Sequence, residues 1–262
     1  DDFNESIKTV KDIILNHEGL LALDTETTSL TMWKDDNYIL GYSLSENDTS
    51  GYYFNARLWS EEQHQQFIKL LNSSKNDKCF WNWSFDYGYS KSHYGIGLDA
   101  THDGLLWFHS LFTARSLELK EGTKQKKGLS LKELTSEFTG FGDYEFELKS
   151  TKTKILQQLN KHIKNGEEFT LSTFDEFKNE LSLDYDLETE NVMLLMNRYI
   201  KKGVTLKEKQ FCYGFFPDSV LTPYAVFDTI CTFNLTQRCI DYAKKVYDQG
   251  WTKVYDVIDI KH

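Results

Sequence analysis

Three acidic segments, far apart in the chain, carry residue types able to hold a cation. Asp24-Thr25-Glu26 closes the apolar run Gly19-Leu20-Leu21-Ala22-Leu23, which reads as a buried strand. Side chains two apart on a strand share a face, so both carboxylates project together from its end. Adjacent carboxylates withdrawn from water repel each other and lose hydration unless a cation neutralises them. Asp-x-Glu recurs at Asp143/Glu145 and Asp186/Glu188, but only the first copy directly ends an apolar strand. Taken alone, the pattern also fits a surface pair that caps the next turn.

The second segment is Asn82-Trp83-Ser84-Phe85-Asp86, placed after the short strand Cys79-Phe80-Trp81. Strand ends are where α/β sheets put their ligands. The plainer alternative makes Asn82 a turn residue and Asp86 a helix N-cap. The third is Tyr224-Ala225-Val226-Phe227-Asp228. At helical i, i+4 spacing, phenol and carboxylate face one space. Otherwise Tyr224 only packs and Asp228 only solvates a helix. A further Tyr-x-x-x-Asp, Tyr255/Asp259, has unremarkable surroundings, and Pro223 rules out a His-x-x-x-x-Asp arrangement ending at Asp228.

The 262 residues carry 30 basic and 40 acidic side chains, a net charge of −10. That balance argues against a protein that grips nucleic acid by bulk positive charge, but not against carboxylate-held cations meeting phosphate. With 40% hydrophobic and 15% aromatic residues the chain can build a substantial core. At about 150 residues per domain this is one to two domains. No apolar run reaches the ~20 residues of a membrane span. Cys79, Cys212, Cys231 and Cys239 form no CxxC pair, which argues against structural zinc or a disulfide framework and fits a reducing cytoplasm. The opening DDFNESIKTV has neither Met nor a signal-peptide pattern, as expected of a piece of a longer protein.

Around these segments, residues 1–140 alternate strand and helix. Tyr38–Leu44 and Gly51–Phe54 read as strands joined by the polar turn Glu46-Asn47-Asp48. Ser60 opens a helix; others are expected from Asp86 and from Asp103 to Ala114. Residues 120–127 read as a basic loop, and Ser130-Leu131-Lys132-Glu133 starts a helix with a capping-box pattern. Residues 141–217 turn polar and Lys/Glu-rich. They read as a helical insertion, with Leu187–Ile200 its clearest helix. Thr222 as N-cap and Pro223 as first residue then start a long helix to about Val246.

In this order, LALDTETTSL, NWSFD and YAVFD resemble the three motifs of DEDD-superfamily exonucleases, in the tyrosine-containing branch. THDGLLWFHSL, LSLKELTSEFTG and GFFPDSVLTPYAVFDT resemble the surroundings found in proofreading domains of family A, phage-type DNA polymerases. The resemblance covers residues 18–140 and 213–245, not most of 141–212. It implies an α/β, ribonuclease H-like fold: a mixed five-stranded sheet flanked by helices, beginning with an antiparallel meander. Residues 1–262 would form one exonuclease domain, interrupted by the insertion at 141–217.

The resemblance also implies a 3′–5′ exonuclease acting on a single-stranded or frayed 3′ end of DNA. Its product is a nucleoside 5′-monophosphate, and a polymerase domain or replication proteins are its partners. The candidate catalytic residues are Asp24, Glu26, Asp86, Tyr224 and Asp228. Four carboxylates without a His/Cys cluster favour two hard divalent cations, Mg²⁺ or Mn²⁺. Asp24 would bridge both, Glu26 and Asp228 would hold the first, and Asp86 would support the second. Tyr224 would orient the attacking water. Thr27, Thr28, Leu30, Asn82 and Phe85 are candidate substrate contacts, with core packing the alternative for Leu30. Asp103 reads as a helix start, and Lys120, Lys124, Lys126 and Lys127 as a solvated charge run that phosphate contact would also explain. No polymerase motif is present, so this chain alone should not polymerise. An RNA-trimming exonuclease uses the same carboxylates, and a non-catalytic nucleic-acid-binding or scaffold module is the remaining alternative.

Overall fold

The computed structural model describes residues 3–34, 37–112, 128–185 and 189–248. Five strands form one mixed sheet: β1 (Leu20–Thr27), β2 (Ile39–Ser45), β3 (Tyr52–Asn55), β4 (Asp77–Phe80) and β5 (His102–Asp103). Their order is β3-β2-β1-β4-β5. β1, β2 and β3 run antiparallel, while β4 is parallel to β1 and β5 to β4. This is the ribonuclease H-like architecture with its opening meander. The β2–β3 turn closes on Asn47, whose side-chain oxygen accepts from the N–H groups of Thr49 and Ser50, both at 2.9 Å.

Helices cover both sheet faces, which is why the central strand β1 is apolar at every position from Leu20 to Leu23. Leu21 and Leu23 pack with Val10, Phe67 and Tyr89 beneath α1 (Phe3–Asn16), α2 (Glu61–Ser73) and α3 (Trp83–Tyr94). Leu20 and Ala22 face the other way. They meet Trp107 of α4 (Gly104–Leu111), Leu134 of α5 (Leu131–Phe138) and Leu235 of the helix at Asp218–Asp248. The period of two carries Asp24 and Glu26 onto this second face. Gly104 permits the close approach of α4 to that long helix: a Cβ there would lie 2.5 Å from Thr236 Oγ1.

Three helices precede the long one: α6 (Phe146–Asn165), α7 (Leu171–Leu181) and α8 (Thr189–Lys202). The buried stripe Leu148, Thr151, Ile155, Leu159 and Ile163 gives α6 one apolar face. These helices share a core with Leu40 of β2, Tyr53 of β3, and Leu221, Tyr224 and Ala225 of the last helix, α9 (Asp218–Asp248).

Several boundaries differ from the sequence expectation. β4 ends at Phe80, so Trp81 lies outside it. α3 begins at Trp83 rather than Asp86, because Asn82 adopts left-handed backbone (φ 69°), which an Asn side chain tolerates. The carboxylate of Asp103 takes up the exposed N–H groups of two helices: Trp83 (3.0 Å) in α3, and Leu105 (2.9 Å) and Leu106 (3.3 Å) in α4. The Ser130 hydroxyl caps α5 by accepting from Glu133 N–H.

α9 starts at Asp218, one turn before Thr222, and Pro223 lies inside it. Proline in a helix removes one backbone donor, and other bonds hold this first turn. Val220 and Leu221 N–H both donate to Pro217 C=O at 3.1 Å. Arg57, just after β3, donates to Asp218 Oδ1 (2.9 Å), Gly214 C=O (3.0 Å) and Phe216 C=O (2.8 Å). Ala114, the loop at 120–127, Asp186, Leu187, Glu188, Tyr255 and Asp259 lie outside the described residues.

Arg57 therefore ties the start of α9 to the sheet through a side chain only 4% exposed. Replacing Arg57 by Met strands two carbonyls and removes the charge partner of Asp218, which keeps its hydrogen bond from Asn55. Urea unfolding should show a loss of about 2–4 kcal/mol. A loss below about 0.5 kcal/mol would show that the clamp carries no weight.

Candidate active site

β1 pairs with β4 only over Leu20–Ala22, so its last residues extend past β4. The register with β2 shifts between Glu26 and Thr27, where Leu40 of β2 is skipped in the pairing. Bulges of this kind re-aim side chains beside functional sites. Asp24 is half-buried, and Glu26 is 5% exposed. α9 crosses the same face, held to β2 by the Ser45–Thr229 hydroxyl contact (2.9 Å), and brings in Tyr224 and Asp228.

Carboxylate oxygens of Asp24, Glu26 and Asp228 lie within 4.8 Å of one another. Asp86, contributed by α3, is not in that trio. Its Oδ1 accepts from the Thr25 N–H (3.0 Å) and hydroxyl (2.6 Å), beyond the end of the β1–β4 pairing. From there it flanks Asp24, and its charge raises the Asp24 pKa more than any other neighbouring charge does.

The electrostatics are those of acids withdrawn from water. Burial, then the charges of Asp86, Glu26 and Asp228, raise the Asp24 pKa well above the usual carboxylate value. Burial, then Asp228, push Glu26 up to about 8. Burial raises Asp86 to about 7 against the hydrogen bonds from Thr25. A clustered, oxygen-only donor set of this kind suits Mg²⁺ or Mn²⁺.

Two residues that the motifs do not include complete the pocket. Lys132, on α5, donates to Tyr224 Oη (2.6 Å) and Asp228 Oδ2 (3.0 Å). Tyr144 donates its hydroxyl to Asp228 Oδ1 (2.5 Å) and stacks on Phe227, ring centroids 5.6 Å apart. The only sequence signal for Lys132 was its place in LSLKELTSEFTG; Tyr144 had none.

The remaining candidates differ in placement. The Thr27 hydroxyl is engaged with Ser29 C=O (3.0 Å), and the Thr28 oxygen accepts from Tyr38 N–H (3.1 Å). Leu30 is 83% exposed, which excludes core packing for it. Asn82 is exposed and accepts from the Ser84 hydroxyl (3.1 Å). Phe85 is half-buried and packs on Tyr89. Asp103 serves the helix starts described above. Lys120, Lys124, Lys126 and Lys127 lie outside the described residues.

The profile of a 3′–5′ exonuclease family, the one named for family A DNA polymerases, matches residues 3–167, more than half of the chain. The DNA polymerase of Escherichia phage T5 is 26% identical over 235 residues. That match covers 90% of this chain and 21% of the T5 protein, so the chain spans about a fifth of its relative. Among solved structures, the catalytic core of RRP6 from Trypanosoma brucei overlaps 53% of this chain and 33% of its own at 13% identity, with a TM-score of 0.39. A structure described as the apo form of a nuclease overlaps 93% and 92% at 12% identity, with a TM-score of 0.40.

Carboxylates whose folded-state pKa exceeds the unfolded value of about 4 favour the fold while protonated. In EDTA, the part of thermal stability linked to Asp86 and Glu26 should therefore fall as pH rises from about 4 and level off once pH passes about 7 to 8, their folded values. Added Mg²⁺ should raise the melting temperature by several degrees at pH 8 and by less at pH 6. A Mg²⁺ increment absent at both pH values would refute cation binding at the trio.

Proposed function

The chain belongs to the 3′–5′ exonuclease family of family A DNA polymerases, and from that premise we propose that it shortens DNA from the 3′ end in a two-cation hydrolysis. The observation that carries this reading is the packing of Asp24, Glu26 and Asp228 oxygens within 4.8 Å of one another. Asp24, Glu26 and Asp228 would hold divalent cations, with Asp86 supporting them beside Asp24. Such cations supply charge neutralisation at the phosphodiester and a water of lowered pKa.

The chain's own groups do the rest. Tyr224, buried on α9 one turn before Asp228, orients the attacking water through its phenol. Glu26 accepts a hydrogen bond from that water. Leu30, exposed to solvent, offers apolar surface to the terminal bases. Such stacking contributes about 1–3 kcal/mol per base, and a transient single-stranded end needs little more. Thr27, Thr28, Asn82 and Phe85 surround the terminal nucleotide through backbone, amide and ring surface.

Residues 1–262 act as one exonuclease domain with 141–217 as its insertion. Its partners are a polymerase region and the frayed primer end, and the setting is proofreading in the cytoplasm of a bacterial or phage-infected cell. The T5 relative supports this context. Among the described residues, no helix is long and apolar enough to cross a membrane.

Purified protein with Mg²⁺ should release nucleoside 5′-monophosphates from a 3′-labelled single-stranded DNA oligonucleotide. The Asp24→Ala, Glu26→Ala double variant should lose at least about 10³-fold in rate. Undiminished activity of that variant would eliminate the site. Faster digestion of a matching RNA would move the assignment to RNA trimming. A folded protein that neither cuts nor binds Mn²⁺ would instead be a scaffold.

A further inference from the structure

Among the described residues, Lys132 is a cation hydrogen-bonded directly to this acidic cluster. Its position is set by α5, whose Leu131 and Leu134 are buried against Trp107 and Leu235. Fixing those two residues in the core fixes the phase of the helix. Lys132, at the second position of α5, is thereby carried to the side where α9 passes, with its side chain 32% exposed. The ammonium bridges Tyr224 Oη (2.6 Å) and Asp228 Oδ2 (3.0 Å), two groups one turn apart on α9, and lies 4.7 Å from the Tyr224 ring centroid. Glu145 Oε1 is 3.7 Å away on the third side.

Donor–acceptor arithmetic makes this contact directional. An ammonium has three donors and no acceptor, whereas a phenol has one hydrogen and oxygen lone pairs. Tyr224 must therefore accept from Lys132, and its own hydrogen is left for a different acceptor. Asp228 is held from both ends, by Lys132 on Oδ2 and by Tyr144 on Oδ1 (2.5 Å). Without Lys132, the phenol could turn its hydrogen toward Asp228 or rotate away.

We propose that Lys132 is a positioning residue for this site: its ammonium locks Tyr224 and Asp228 together and reserves the Tyr224 hydroxyl as a donor to water. The inference rests on the exonuclease reading for its consequence in turnover, but not for the contact itself.

The test compares Lys132→Met, Lys132→Arg, Tyr224→Phe and the Lys132→Met, Tyr224→Phe double variant in the full chain. The first readout is the ζ-carbon NMR signal of Tyr224 in metal-free protein, assigned by its loss in Tyr224→Phe. Lys132→Met should displace that signal, and Lys132→Arg should hold it near the wild-type position. The second is turnover of single-stranded DNA with Mg²⁺. Lys132→Met should lower kcat by about tenfold or more with KM within about twofold, and Lys132→Arg should recover most of the loss. The double variant should be no slower than the slower single variant.

An unmoved Tyr224 signal in folded Lys132→Met overturns the positioning role whatever the activity. Losses that multiply in the double variant overturn action through Tyr224. Should Lys132→Met melt below the assay temperature, Lys132→Gln takes its place under the same criteria. A wild-type protein without nuclease activity would end the exonuclease reading, while the NMR comparison would still decide the contact.

Discussion

Like-charge repulsion in a buried place is the constraint around which this molecule is built. Asp24, Glu26 and Asp228 bring their oxygens together on one face of the sheet, and Asp86 flanks them. In water such acids would separate. Here each is carried by an element whose position is fixed by apolar packing: β1 by its two buried faces, α3 by Tyr89, α9 by Leu235 and Ala225. The core thus holds charge in an unfavourable arrangement, as binding sites do when affinity for an ion repays local strain. Hydrogen bonds moderate the cost at the edges. Asp86 leans on Thr25, and Asp228 is held by Tyr144 and Lys132.

How much of this was legible in the sequence follows from range. The strand β1 and the shared face of Asp24 and Glu26 follow from a period of two within eight residues. The opening meander follows from the order of short apolar runs and turns, whereas the full mixed sheet was implied only by the family resemblance: β5, two residues long, carries no strand signal of its own. The start of α3 was misplaced because its free N–H group is taken up by Asp103, some twenty residues away. The start of α9 was misplaced because Arg57, 161 residues from Asp218, holds the turn that Pro223 would otherwise weaken.

Beyond its place in LSLKELTSEFTG, the contact that Lys132 makes lies out of reach for the same reason. In sequence Lys132 is an ordinary second residue of a capped helix, and Tyr224 lies 92 positions on. Helix periodicity predicts which side of α5 is apolar, but not which element faces the other side. Similarly, the stripe on α6 announces a buried face, yet nothing local says that Leu40 and Tyr53 share its core. Short-range rules read the parts, and the joints between distant parts lie beyond their reach.

The order of elements along the chain has a consequence for biosynthesis. Asp24 and Glu26 leave the ribosome early, whereas Asp228 rides on the last described helix. Until α9 docks, the first two acids lie on an uncovered face of the central strand, where hydration and screening keep their mutual repulsion small. A nascent or C-terminally clipped chain that lacks α9 therefore lacks the third acid of the cluster, and the trio comes together only when the closing helix docks.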